Sequence, residues 1–167
     1  MSTFAFIKRF RDLHDKAKKG TLQEPERAEY VIARNELGRL LLVAQHVNHS
    51  GETLRNRLRV AQLIKVELDL GVGAPLKTST IDLAAGGFAV LLPGGHAVGT
   101  VVGFKLFLPS FTGSPRPVDG KARVASSRPQ TGGFRVSFSF VELSPADREH
   151  LEVVIIDSVL ARFPSLP

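Results

Sequence analysis

Val60-Ala61-Gln62-Leu63-Ile64-Lys65-Val66-Glu67-Leu68-Asp69-Leu70 decides the fold. Val60, Gln62, Ile64, Val66, Leu68 and Leu70 fall on one side of an extended chain, and Lys65, Glu67 and Asp69 on the other. A period of two with one apolar face is the pattern of a strand half-buried against a core. Gly71-Val72-Gly73-Ala74-Pro75 follows as a turn.

Moving C-terminally, the pattern repeats. LKTSTIDL (76–83) reads as a second strand, AAGG (84–87) as a tight turn and FAVLL (88–92) as a third strand. LPGGHAVGT is a loop, and VVGFKLFLP alternates again. FTGSPRPVDG is a long turn-rich connection, and GKARVASS and FRVSFSFVEL flank the turn RPQTGG. About six short strands at this spacing predict a small six-stranded antiparallel β-barrel in a mainly β protein with added helices, an α+β chain. Ser144-Pro145-Ala146-Asp147 has a capping residue, a first-turn proline and an acidic third position. It predicts the start of a C-terminal helix whose apolar face carries Leu151, Val154, Ile155, Val159 and Phe163.

Moving N-terminally, the period changes to that of a helix. Phe6, Phe10, Leu13 and Ala17 share a face, and Gly20 ends the pattern. Thr21 with Glu24 and Pro25 predicts a second helix start. Tyr30, Ala33, Leu37, Leu40, Leu41, Ala44 and Val47 then form a stripe too apolar to stay exposed. It should pack on the first helix, on the barrel or on a second copy of the chain. The chain divides into a helical extension over 1–52 and a barrel domain with its helix over 53–163.

Composition bounds the chemistry. The 167 residues contain no Cys, so disulfides and thiolate ligands are excluded, in keeping with a reducing cytoplasm. The N-terminus lacks the apolar core of a signal peptide. The apolar runs near Leu40–Ala44 and Val153–Ile156 are far shorter than the ~20 residues of a membrane span. The expectation is a soluble, cytoplasmic protein with no transmembrane segment. Of the net charge of +6, residues 1–59 carry +5 (12 Lys/Arg against 7 Asp/Glu). That bias attracts phosphates, anionic lipid or an acidic partner.

No catalytic set is visible, which argues against an enzyme. The histidines are His14, His46, His49, His96 and His150; only His46 and His49 are close, and without a carboxylate or Cys nearby they make a poor metal site. No metal is expected. Gly71 and Gly73 lie between strands and open no helix, so they are turn residues and not a phosphate loop. With one Tyr, no Trp and no basic–aromatic interleaving on the strands, nucleic acid is not expected as a partner.

Two motifs remain. Arg55-Asn56-Arg57-Leu58-Arg59 stands directly before the first strand. Guanidinium forks grip phosphate or the acceptor edge of guanine and stack on bases. Asp82-Leu83-Ala84-Ala85-Gly86-Gly87 joins the second and third strands. A carboxylate there accepts from the N–H edge of guanine, and glycines allow close approach.

In this order the two motifs resemble the PilZ family, with its RxxxR before the first barrel strand and its [D/N]xSxxG at the turn after the second. The resemblance covers about 53–163, and leaves the helices of 1–50 unexplained. It implies a PilZ-type barrel acting as a non-enzymatic bacterial receptor for cyclic di-GMP, a regulatory ligand and not a cofactor. Arg55 and Arg59 would hold guanine and phosphates, with Arg57 as an additional contact; Asp82 would bond a guanine edge and Gly87 would keep the turn. The output would be motility or surface behaviour, controlled by protein contacts through the N-terminal helices. Ala84 departs from the motif, where the family has Ser. The missing hydroxyl is worth about 0.5–1.5 kcal/mol, or two- to tenfold in affinity. The alternative the resemblance offers is a degenerate PilZ adaptor that binds no nucleotide and acts by protein–protein contact alone in a motility or polarity system.

Overall fold

Among the described residues these patterns give seven strands and three helices: α1 (Thr3–Lys19), α2 (Glu24–Asn48), β1 (Arg59–Val60), β2 (Lys65–Asp69), β3 (Leu76–Ala84), β4 (Gly87–Leu92), β5 (Val101–Leu108), β6 (Arg116–Gln130), β7 (Gly133–Glu142) and α3 (Pro145–Leu160). The computed structural model describes residues 2–48 and 59–161.

β2 to β7 form a closed antiparallel barrel in the order β3-β2-β5-β6-β7-β4, shut by β4 pairing back onto β3. β1 and β2 are the two halves of the long alternating stretch, both paired to the same strand, β3. Thr80 of β3, fully buried, spans the break. Its N–H donates to the Ile64 carbonyl at 2.8 Å, its hydroxyl donates to the Gln62 carbonyl at 2.6 Å, and the Ile64 N–H donates to that hydroxyl at 3.0 Å. Backbone groups that would lose their ladder partners are thereby satisfied. The barrel is filled by Val60, Ile64, Val66, Leu68, Leu83, Phe88, Val90 and their counterparts on β5 to β7. β6 is longer than its sequence suggests: Pro117 and Pro129 both lie within it, opposite Phe107 and Phe134, and the predicted turn RPQTGG shrinks to Thr131 and Gly132.

The helices are capped largely as expected. Ser144 Oγ accepts from the Asp147 N–H at 3.1 Å and Pro145 opens α3. Gly20, at φ 70°, ends α1 with its N–H on the Ala17 carbonyl and that of Thr21 on the Lys16 carbonyl. The start of α2 is a correction. Thr21 is used in closing α1, its hydroxyl donating to the Lys16 carbonyl at 3.3 Å, and α2 begins at Glu24. There Glu26, not Glu24, reaches back to accept the Gln23 N–H at 3.2 Å.

α3 buries two faces. Leu151, Val154, Ile155 and Val159 join the barrel core. Val153 and Ile156, on its other side, join Phe10 and Leu13 of α1 and Tyr30 of α2 in a second core. The α2 stripe therefore packs on α1 and α3 through Tyr30, Ala33 and Leu37, and on the barrel core through Leu41; Leu40 stays exposed. Of the apolar positions named for these helices, Phe163 lies outside the described residues, as do the side chains of Ala44 and Val47. Among the described residues no helix is long and apolar enough to cross a membrane.

Candidate functional site

The two motifs meet through a backbone ladder. β1 pairs with the end of β3 so that Arg59 stands opposite Ala84 and Val60 opposite Leu83. The last residue of the arginine motif is thus the cross-strand neighbour of the residue that replaces serine. Arg55 and Arg57 lie outside the described residues, as do the His46–His49 pair and the side chain of Arg59.

Asp82 faces outward because β3 is bulged. Leu76, Thr78 and Thr80 stand opposite the core positions Leu68, Val66 and Val90, so strict alternation would send Asp82 inward as well. The register shifts between Thr80 and Asp82. Leu83 then enters the core opposite Phe88, and Asp82, half-buried, lies on the other side of the strand from it, while Ala84 is buried outside the core cluster. A bulge of this kind re-aims side chains and is often found beside functional sites. Arg135 of β7 donates through Nη2 to Asp82 Oδ2 across the intervening strand β4. Both partners are largely shielded, with 24% and 16% of their side chains exposed, so screening by solvent is weaker than for a surface pair.

The turn glycines have separate duties. Ala85 and Gly86 make the two-residue connection between β3 and β4, while Gly87 is already in β4, opposite Ala84 and Ser139. A Cβ on Gly87 would lie 1.8 Å from the Phe138 carbonyl oxygen. Gly87 is therefore required by the close approach of β4 to β7, and the turn itself is held by the Phe140 N–H donating to the Gly86 carbonyl at 2.9 Å. From α3, Arg148 Nη1 donates to the Ala85 carbonyl at 3.2 Å, linking the turn to that helix.

Arg135 was not singled out from the sequence, though a signal exists. In FRVSFSF (134–140), Arg135, Ser137 and Ser139 alternate with Val136, Phe138 and Phe140, so one strand face is polar. The structure puts Phe138 and Val136 in the core and the other three outside. Also missed was His14, which is buried between α1, α2 and α3. Its Nδ1 lies 2.9 Å from the Tyr30 hydroxyl and its Nε2 3.0 Å from Asp157 Oδ1. That contact first, and Lys18 after it, hold the Asp157 carboxyl below its ordinary range despite desolvation. Burial pushes the Tyr30 phenol well above its own. No group of His, Asp or Glu able to hold a metal occurs among the described residues.

Residues 53–157 match the sequence profile of the PilZ domain. The chain belongs to the PilZ domain family. PilZ domains are non-catalytic receptors and adaptors, so this protein is a regulatory module and not an enzyme.

Solved structures agree on the fold. The Bacillus subtilis inhibitor of motility MotI/DgrA is 20% identical, with a TM-score of 0.57 over 66% of this chain and 53% of that one. Escherichia coli YcgR in complex with cyclic di-GMP is 21% identical, with a TM-score of 0.53 over 65% and 48% of the two chains. The PilZ domain of YcgR with cyclic di-GMP is 17% identical, with a TM-score of 0.50 over 66% of this PilZ protein and 95% of that domain. The matched region spans about half the length of MotI/DgrA and of full YcgR. No curated protein sequence matches the chain.

Proposed function

We propose that this PilZ protein is a cyclic di-GMP effector that acts on a motility or surface system through protein contacts made by its N-terminal helices. What supports the reading is the β1–β3 register, with Arg59, the last residue of the arginine motif, opposite Ala84 on the strand that carries Asp82. Arg55 and Arg59 grip the phosphates and guanine, with Arg57 beside them, and Asp82 accepts from the guanine N1–H and N2–H edge. The pair with Arg135 holds Asp82 through Oδ2 and leaves Oδ1 for the base. Gly87 keeps β4 flat against β7 so that no side chain rises beneath the ligand. The route outward is α3: Arg148 touches the motif turn, and the opposite side of the same helix carries α1 and α2.

Isothermal titration of the full chain with cyclic di-GMP tests this. Binding that Arg55→Ala and Asp82→Ala both weaken is the expected result. No heat at ~100 μM protein rejects it.

Two observations favour a second reading. Position 84 has no hydroxyl, and the Asp82 carboxylate already has an internal partner. A nucleotide-free adaptor acting by protein contact alone needs neither group. In that case Arg55→Ala and Asp82→Ala leave cellular function intact, while a charge on the exposed part of the α2 stripe, Leu40→Glu, abolishes it.

A further inference from the structure

The outer surface of β6 and β7 continues the Asp82 site, and nothing above gives it a role. Three cross-strand rows run over it. Ala84, Gly87, Ser139 and Arg123 are successive partners from β3 through β4 and β7 to β6. Asp82, Ala89, Ser137 and Ser126 form the next row. Leu91, Arg135 and Arg128 form the third. A second bulge, between Val124 and Ser126, keeps Ser126 and Arg128 on the outside with Arg123.

The chemistry of this face is uneven. Its middle is small or hydroxylated: Ala84, Gly87 and Ala89 are buried, Ser126 and Ser137 half-buried, and Ser139 exposed. Its edges are cationic. Arg123 and Arg128 are exposed and have no ion-pair or hydrogen-bond partner among the described residues. Arg128 stands directly opposite Arg135, and like charges in that position repel. Asp82 answers only one of the three guanidinium groups. With strands about 4.8 Å apart, the four strands span about 15 Å, and the exposed residues of the rows lie over β7 and β6.

We propose that Arg123, Arg128 and Ser139 form a phosphate-binding extension of the nucleotide site. The proposal rests on the cyclic di-GMP reading above. Ser139 shares a row with Ala84, two strands or about 10 Å away, and Gly87 leaves no side chain between them. The arginines bind phosphate oxygens through charge-assisted hydrogen bonds, and the anion relieves the Arg128–Arg135 repulsion.

Titration of the full chain with cyclic di-GMP is the test, each variant being matched to the parent in thermal melting. Arg123→Ala and Arg128→Ala each weaken binding roughly ten- to hundredfold, as loss of a charged hydrogen bond does. Ser139→Ala weakens it two- to tenfold. If Arg55→Ala weakens binding while the Arg123, Arg128 and Ser139 variants all stay within twofold of the parent, the functional reading stands and this extension is overturned. If the parent does not bind cyclic di-GMP, the functional reading falls, and inorganic pyrophosphate then probes the face by backbone amide shifts. Shifts centred on 123, 128 and 139 that vanish in Arg123→Ala with Arg128→Ala keep the phosphate surface; their absence overturns it too.

Discussion

Arg34 of α2 reaches Glu152 of α3, its Nη2 lying 2.6 Å from Oε2, and so joins the helical extension to the helix that seals the barrel. The same guanidinium also donates to Glu149, at 2.6 and 3.1 Å. Its side chain is only 5% exposed, whereas those of Glu149 and Glu152 are 50% and 29% exposed.

That imbalance predicts an asymmetric response. Glu149→Gln with Glu152→Gln strands a buried cation and should cost about 3–5 kcal/mol. Arg34→Met leaves two carboxylates that water can reach and should cost less. Urea denaturation of the three proteins orders them.

Asp157 gives the interface a pH dependence. Its carboxyl is held low in the folded state, so its contribution is present above the unfolded value and disappears as pH falls through the folded one. Stability should therefore drop below pH about 4. Glu26, Glu29 and Glu36 are lowered in the same direction by exposed partners and remain in any variant. Asp157→Asn should consequently flatten the acid limb without removing it, as read from urea midpoints between pH 7 and pH 3.

Gly87→Ala separates the structural from the ligand role of the motif glycine. A Cβ there meets backbone, which cannot swing aside. The expected cost is at least about 1–3 kcal/mol, seen in thermal melting with no ligand present. Gly94→Ala, with nothing within 4 Å of its Cβ, should be nearly silent.

Leu151 is fully buried where α3 meets the barrel core. Leu151→Ala should cost about 2–5 kcal/mol in chemical denaturation. Ile156→Val, on the other face of the same helix, should cost about 0.5–1.5 kcal/mol.

Arg128→Thr should stabilise the ligand-free protein. It removes a like-charged cross-strand neighbour of Arg135 and introduces a β-branched residue suited to a strand. A gain of about 0.2–1 kcal/mol is expected in low-salt buffer, shrinking as salt screens the pair.

What could be read from the amino-acid order alone was whatever is periodic or local. The in-and-out alternation from Val60 to Leu70, the glycine turn after it and the Ser144 cap depend on near neighbours in the chain, and each stands in the structure, although the one strand expected from Val60 to Leu70 is broken into β1 and β2. The motif pair could be recognised for the same reason, because each half is a few contiguous residues. Tertiary structure decided everything that needed a distant partner. The bulge at β3 turned Asp82 outward, and Arg135, 53 positions away, became its partner. His14 was drawn into the interior because Tyr30 and Asp157 converge on both of its ring nitrogens. α3 gained a second buried face because two separate layers close on it. Strand register and layer contact are set by the closure of the whole barrel, and no window of local sequence carries that information.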